Sequence, residues 1–268
     1  MRKQRLRTAA LAATLLLTFL GGAPTRAEDP IPRQTQTLPF DASIVETSWV
    51  DLSLSYGKLD DSDLSSKGSE LALSGSVAWS PVRNVETGVA ASWMSRTYDQ
   101  ADLGSRSGVS DTLGWAKFRF PGGKDTSFSI GGFASAPTGD KDEYFGTGNL
   151  EGGIFFAGGV KTRGNGFVQG HVGVRWNDRL DNRTFHGDGK NSFFAGFGGV
   201  YEAASGIEVF SSLLLETARY EGGDSNARLT GGARWKVSTS WRLQALAGVG
   251  LTGYSPRLSL GVGVVWTR

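Results

Sequence analysis

Residues 70–79 read Glu-Leu-Ala-Leu-Ser-Gly-Ser-Val-Ala-Trp and contain the clearest period of two in this chain of 268 residues. The alternating apolar positions are Leu71, Leu73, Val77 and Trp79, and the positions between them are small or polar. Successive side chains of a strand point to opposite faces of a sheet. The stretch therefore predicts a β-strand with one apolar and one polar face.

The same alternation recurs along most of the chain and predicts about twelve strands. They fall around residues 50–56, 70–79, 85–93, 111–120, 126–136, 150–161, 166–177, 192–202, 207–218, 227–237, 241–252 and 257–267. Tilted strands of about ten residues are long enough to cross a bilayer. In the fourth of them, charged and apolar residues share one face, so its pattern is irregular.

The connections between these strands alternate in length. Short ones cover residues 80–83, 121–124, 163–166, 203–206 and 238–240, whereas longer polar ones cover residues 57–68, 96–109, 137–149, 177–191 and 219–226. Short periplasmic turns that alternate with long external loops are typical of outer-membrane barrels. The sequence thus predicts an all-β fold, an up-and-down antiparallel transmembrane β-barrel of about twelve strands with both termini in the periplasm.

The N-terminal part of the chain has the features of a secretory signal peptide. Basic residues at the start precede an apolar run over 9–20, and a small-x-small cleavage site ends at Ala27. A retained membrane anchor is the alternative, but a transmembrane helix needs about twenty apolar residues. We therefore expect a signal peptide over 1–27, a flexible periplasmic lead-in or partial plug over 28–41, and an outer-membrane β-barrel over 42–268.

Charge and composition exclude several classes of function. Residues 1–27 hold five of the 28 basic residues and no acidic one, so the mature chain carries a net charge of −3 and no nucleic-acid footprint. The absence of Cys excludes disulfides and thiolate metal sites. Motifs for nucleotide binding, a nucleophilic serine or a metalloprotease are missing from the sequence. We expect no metal, no cofactor and no nucleic-acid partner.

The two histidines, His171 and His186, leave one enzymatic alternative open. A lipid hydrolase in the barrel wall would need a serine beside one of them. Nothing in the sequence pairs either histidine with a particular serine. We therefore expect a protein that is not an enzyme.

Charged residues on the polar phase of the strands would face the lumen if the apolar phase faces lipid. The predicted lumen-lining residues are Glu70, Glu86, Arg96, Glu151, Lys161, His171, Arg175, Arg228, Arg234, Lys236 and Arg242. Two interpretations stay open: a water-filled pore whose charges set selectivity, or a narrow lumen filled by ion-paired side chains. The group formed by Arg228, Arg234 and Lys236 favours a wall that attracts anions.

Aromatic residues gather near the predicted strand ends, where their rings would lie at the level of the lipid headgroups. They are Trp49, Tyr56, Trp79, Trp93, Trp176, Trp241 and Trp266. Glycine pairs inside the strands, among them Gly131-Gly132 and Gly152-Gly153, favour bends and close approach in a curved sheet. The last strand, with alternating apolar residues from Leu258 to Trp266, resembles the assembly signal of outer-membrane proteins.

Three short runs resemble a known family. They are Ser110-Asp111-Thr112-Leu113-Gly114-Trp115-Ala116-Lys117-Phe118-Arg119-Phe120, Pro137-Thr138-Gly139-Asp140 and Gly146-Thr147-Gly148. On these runs, residues 108–268 resemble the MetA-pathway of phenol degradation family. The resemblance implies an outer-membrane barrel that acts as a transporter and is linked by context to the uptake of aromatic compounds. It implies no catalytic or binding residues.

Together these features predict an outer-membrane channel or transporter-like barrel for passive passage of a small solute, with aromatic compounds as the preferred class. The alternatives are a non-conducting envelope barrel for scaffolding or surface binding, and the lipid hydrolase. The expected partners are outer-membrane lipid, the barrel-assembly machinery during biogenesis and the small-molecule solute. If the channel has a gate, the candidates are the segment 28–41 and the loop 137–149, where the distinctive residues are Pro137, Thr138, Gly139 and Asp140.

Overall fold

A computed structural model describes residues 40–45, 48–61, 66–99, 104–120, 125–143, 145–162, 165–181, 186–252 and 256–268. The predicted signal peptide and all but the last two residues of the predicted lead-in lie outside these ranges. The described residues form a closed antiparallel β-barrel with twelve strands in its wall. They include no helix that is long and apolar enough to span a membrane.

Fifteen strands are formed by the described residues. In chain order they are β1 (Ser48–Asp61), β2 (Ser66–Val82), β3 (Val85–Tyr98), β4 (Ser105–Val109), β5 (Thr112–Phe120), β6 (Thr126–Ala136), β7 (Glu151–Thr162), β8 (Gly166–Trp176), β9 (Leu180–Asp181), β10 (His186–Gly187), β11 (Ser192–Ala204), β12 (Ile207–Glu216), β13 (Asn226–Lys236), β14 (Trp241–Gly250) and β15 (Leu258–Thr267). Strands β9 and β10 form a separate small hairpin, and β4 with β5 makes up one strand of the wall.

Strand β15 pairs with β1 and closes the sheet. The closing register runs from Trp49 opposite Thr267 to Lys58 opposite Leu258, so the wall begins and ends at the end that carries the short turns. A closed barrel leaves no strand edge unpaired, which is the condition for a β-sheet in a lipid bilayer. The predicted all-β, up-and-down antiparallel barrel of twelve strands is confirmed.

Two of the predicted long loops are largely strand. β1 and β2 pair as far as Asp61 and Ser66, within the predicted loop 57–68. β4 pairs with β3 inside the predicted loop 96–109. The apolar alternation ends before these strands do, because a strand that extends beyond the lipid has no need of an apolar face.

Exposure alternates along the strands in the reverse of the order found in water-soluble proteins. On β1, Leu52 and Leu54 are 48% and 45% exposed, whereas Asp51 and Ser53 are 3% and 8% exposed. The outer face of the barrel therefore carries apolar side chains and the inner face polar ones. This distribution suits a barrel surrounded by lipid.

Trp49 lies on the inner face, and its predicted place in an outer aromatic girdle is wrong. Its side chain is buried on the same phase as Asp51, and the Arg234 guanidinium lies 5.9 Å from its ring centroid. The first residues of β1 precede the apolar run on which the prediction was based. The strand's phase, rather than nearness to its end, decides which side of the wall a ring occupies.

A β-bulge at the junction of β4 and β5 explains the irregular strand. Trp93 pairs with Val109 and Ala90 pairs with Leu113, so two residues of β3 face three residues of its partner. A bulge shifts the phase of the strand by one residue. Past the bulge, apolar Leu113 and charged Lys117 both point inward.

Inward-facing rings lie over inward-facing glycines of neighbouring strands. The directly opposite pairs are Gly88 with Trp115, Gly131 with Phe155, Gly153 with Phe133, Gly173 with Phe194, Gly196 with His171 and Gly232 with Phe210. At each glycine of these pairs, a β-carbon would overlap the ring opposite. The glycines let large rings lie flat along a curved wall.

Replacement of Gly153 by valine is expected to destabilise the barrel, because a side chain there would overlap the Phe133 ring and the Val174 carbonyl oxygen. Overpacking of this kind costs about 3 kcal/mol. The midpoint of urea unfolding, followed by tryptophan fluorescence in detergent, should therefore fall in Gly153→Val. Gly114→Val is the matched control, since the nearest atoms to its β-carbon lie 3.9 and 4.0 Å away. Equal midpoints for the two variants would contradict this packing.

Candidate functional site

The interior of the barrel is the candidate site, and all the predicted lumen-lining residues lie on the inward phase of their strands. Glu86 and Arg234 are almost completely buried, and Glu151 is buried as well. Lys161 and Lys236 share this phase but lie at the short-turn end, beside Asp125 and Gly206. The structure thus turns the predicted charges towards the interior at different heights, and Lys236 is exposed at the short-turn end.

Residues 40–45 run through this interior without joining the wall. Phe40, Ala42 and Val45 are buried, and so are Asp41 and Ser43. This internal segment ends two residues before β1, so it follows the lumen towards the short-turn end of the barrel. The sequence placed the boundary between lead-in and barrel at residue 42, and the structure has the wall begin at Ser48.

The ring of Phe40 lies among aromatic rings of four wall strands. Its centroid is 4.7 Å from that of Phe194, 5.1 Å from Phe155, 5.2 Å from Phe133 and 5.5 Å from His171. The contact with Phe155 is edge-on and the others are tilted. Both geometries are favourable for ring pairs. The cluster forms an apolar layer across the lumen.

Below this aromatic layer, the Lys117 ammonium and the Glu86 carboxylate of the wall hold the internal segment. The Lys117 ammonium pairs with the Asp41 carboxylate and lies 3.4 Å from Glu86 Oε1. Glu86 also accepts hydrogen bonds from Trp115 Nε1 at 2.9 Å and from the Val45 backbone N–H at 2.8 Å. Buried charges need such partners, because an unpaired one costs several kcal/mol.

Neutral wall side chains bind the backbone of the same segment. Gln169 Oε1 accepts from the Ala42 N–H at 2.8 Å, and the Ser127 hydroxyl donates to the Ala42 carbonyl oxygen at 2.7 Å. The Ser129 hydroxyl donates to the Asp41 carbonyl oxygen at 3.2 Å. The segment therefore receives from the wall the backbone hydrogen bonds that it lacks by being outside the sheet.

A second polar layer lies towards the end of the barrel that carries the long loops. Glu151 accepts a hydrogen bond from the Tyr220 hydroxyl at 2.7 Å and pairs with Arg219. Arg175 Nε lies 3.1 Å from Glu216 Oε1. Because Arg219 and Tyr220 belong to the β12–β13 connection, this loop folds inward over the lumen. Sequence reasoning missed this, and the only local signal was an Arg-Tyr pair in a loop.

Basic side chains of β13 and β14 line another part of the interior. Arg234 Nε lies 3.5 Å from Glu208 Oε2, whereas Arg228 donates to the Ser259 hydroxyl at 2.8 Å and Arg242 to the Thr267 hydroxyl at 3.0 Å. Hydroxyl partners leave the positive charge of a guanidinium uncompensated at that contact. The three arginines form a basic stripe along this side of the lumen.

The two histidines lie in different surroundings. His171 is part of the aromatic layer, where its ring faces Phe40 and Phe194. His186 is exposed in the short strand β10. Among the described residues, no group of three or more His, Cys, Asp or Glu side chains could hold a metal ion.

Solved structures with the same fold are outer-membrane proteins. The COG4313 outer membrane channel from Pseudomonas putida F1 superposes with a TM-score of 0.69 at 15% identity, over 88% of this chain and 100% of that one. A NanC porin gives a TM-score of 0.54 at 12% identity, over 82% of this chain and 100% of that one. No family model matches the chain, and no curated protein matches it in sequence. At these identities the likeness establishes the fold.

Replacement of Glu86 by glutamine is expected to destabilise the barrel with its internal segment in place. The carboxylate accepts at both oxygens and faces Lys117, and an amide retains one acceptor and no charge. The free energy of unfolding, measured by urea unfolding, should fall by about 3 kcal/mol. Glu202→Gln is the control, because Glu202 also accepts at both oxygens, from Asn165 and Gly206, but is exposed. A Glu86→Gln midpoint no lower than that of the control would refute this anchoring role.

Proposed function

We propose that the protein is an outer-membrane channel through which a small solute passes without a cofactor. The observation that carries this proposal is the internal segment 40–45. A barrel whose lumen holds an extra length of backbone has room for a solute once that backbone moves. A lumen filled by wall side chains alone would have no such room.

The non-conducting alternative is less well supported by the same contacts. In a scaffold barrel, the buried charges of the wall are expected to pair with one another across the lumen. Here Lys117 and Glu86 lie 3.4 Å from each other and also bind Asp41 and Val45, which belong to a segment outside the sheet. Such groups can exchange the segment for water or a solute without breaking the wall.

The proposed location is the outer membrane, with the short turns in the periplasm. Support comes from the apolar outer face, from the confirmed barrel and from the fold shared with an outer membrane channel. Export by a signal peptide over 1–27, contact with membrane lipid and assembly by the barrel-assembly machinery belong to the same proposal. Membership of the MetA-pathway of phenol degradation family is likewise proposed on the three sequence runs.

An aromatic solute fits the layer around Phe40. Rings of Phe133, Phe155, Phe194 and His171 surround a ring that is not part of the wall. A planar solute that replaces Phe40 would meet the same edge-on and tilted contacts. In this proposal the internal segment 40–45 acts as a partial plug, and its displacement opens the path.

The double variant Phe40→Ala/Asp41→Ala is expected to open the channel. It removes the ring from the aromatic layer and the carboxylate from Lys117, so the internal segment loses two of its anchors. Single-channel recordings in planar bilayers should show a higher open probability or conductance than those of the wild type. Ser43→Ala is the control on the same segment, since it leaves both anchors intact. Silent bilayers for the wild type and the double variant would count against a channel.

A basic stripe in the lumen should favour anions. Arg228→Gln/Arg242→Gln removes two charges whose bonded partners are hydroxyls, and is expected to lower the permeability of chloride relative to potassium. Reversal potentials in a salt gradient measure this ratio. Arg179→Gln serves as the control, because Arg179 lies in an exposed loop. A ratio that is the same in all three proteins would show that the stripe does not select ions.

A further inference from the structure

Three runs that are not contiguous in the sequence meet at the end of the barrel that carries the long loops. The first is residues 110–112 at the β-bulge. The second and third are residues 137–140 and 146–148, near the two ends of the loop 137–149 between β6 and β7. They belong to the runs on which the family resemblance rests, and hydrogen bonds connect them.

The Thr138 hydroxyl forms hydrogen bonds with backbone groups at the bulge. Its Oγ1 accepts from the Thr112 N–H at 2.9 Å and donates to the Ser110 carbonyl oxygen at 3.0 Å. A bulge leaves backbone groups without ladder partners, and a side chain can supply them. The first residues of the loop are thereby attached to the wall.

Asp111 attaches both ends of the loop at once. Its Oδ1 accepts from the Gly139 N–H at 2.9 Å. Its Oδ2 accepts from the Thr147 N–H at 2.7 Å and from the Thr147 hydroxyl at 3.1 Å. Hydrogen bonds to an ionised carboxylate are stronger than neutral ones. The extra residue of the bulge points this carboxylate inward, where the loop can reach it.

Two glycines permit the loop ends to approach this closely. A β-carbon at Gly146 would overlap Asp111 Oδ1, and one at Gly139 would overlap the Phe145 carbonyl group. The spacing of glycine and threonine in the two runs is therefore the spacing that lets one carboxylate bind both ends.

The rest of the loop rests on the inner face of the wall. Phe145 is buried against Gly108, and the Arg96 guanidinium lies 5.5 Å from its ring centroid. Glu143 pairs with Arg106. Because Gly108, Arg96 and Arg106 all lie on the inward phase, the loop occupies part of the mouth of the lumen.

We propose that Asp111 is a positioning residue for solute passage. It holds the loop 137–149 as a fixed constriction in the mouth, so this loop sets the largest solute admitted and does not move as a gate. The inference rests on the proposed channel function, in which the internal segment 40–45 is the moving part.

Hydrogen exchange of the full-length protein tests the attachment. In Asp111→Ala, the Gly139 and Thr147 amides lose their acceptor, and the peptide 137–149 is expected to exchange about tenfold faster by mass spectrometry. Asp111→Asn keeps one acceptor oxygen, so its exchange rate should lie between those of the wild type and Asp111→Ala. It gives a second test if the alanine variant folds poorly. Asp142→Ala removes an exposed carboxylate from the same loop and should exchange like the wild type.

Polymer exclusion in planar bilayers tests the effect on passage. Polyethylene glycols of graded mass lower the conductance only when they enter the lumen, so the smallest excluded polymer reports the size limit. This limit is expected to rise in Asp111→Ala and to stay unchanged in Asp142→Ala. Unchanged exchange in Asp111→Ala, or faster exchange with an unchanged size limit, would overturn the positioning role while the channel function stands. If none of the proteins opens, the channel function fails and the role in passage fails with it.

Discussion

The pairing of β15 with β1 is the interaction on which the rest of the structure depends. In a bilayer every backbone N–H and C=O of the wall needs a partner within the protein, and only a closed sheet provides one at each strand. The number of strands and their stagger at closure set the width of the lumen. Twelve strands leave a space that wall side chains alone do not fill. The internal segment occupies that space.

The interior is arranged in layers of different polarity. The inward-folded loops and the layer of Glu151 and Arg175 lie nearest the long loops, the rings around Phe40 come next, and the charges around Lys117 lie below them. An apolar layer between two charged ones hinders hydrated ions more than it hinders a molecule with an apolar face. In the described part of the chain, the polar lining of the interior is thus interrupted by an apolar layer at the level of Phe40.

The strands of the wall could be predicted from the sequence because each strand is encoded by a local alternation of residues. The alternation from Leu71 to Trp79 is visible in ten residues, and the phase of each strand assigned the charges to the interior. What the sequence could not supply were pairings between distant residues. Asp111 binds Thr147 across 36 positions, and Glu151 binds Tyr220 across 69. Neither local period nor composition encodes such a partner, and a one-residue shift at the bulge reversed a phase that the pattern alone left irregular.

Only two residues separate Val45, the last described residue of the internal segment, from the first strand of the wall. A ligand tethered this closely to its own site has an effective concentration in the millimolar range. In the proposed channel, this effective concentration favours the return of the segment to the lumen after it is displaced. A solute that uses the same contacts competes with the tethered internal segment. In the proposed channel, the probability of opening would therefore depend on the solute concentration outside.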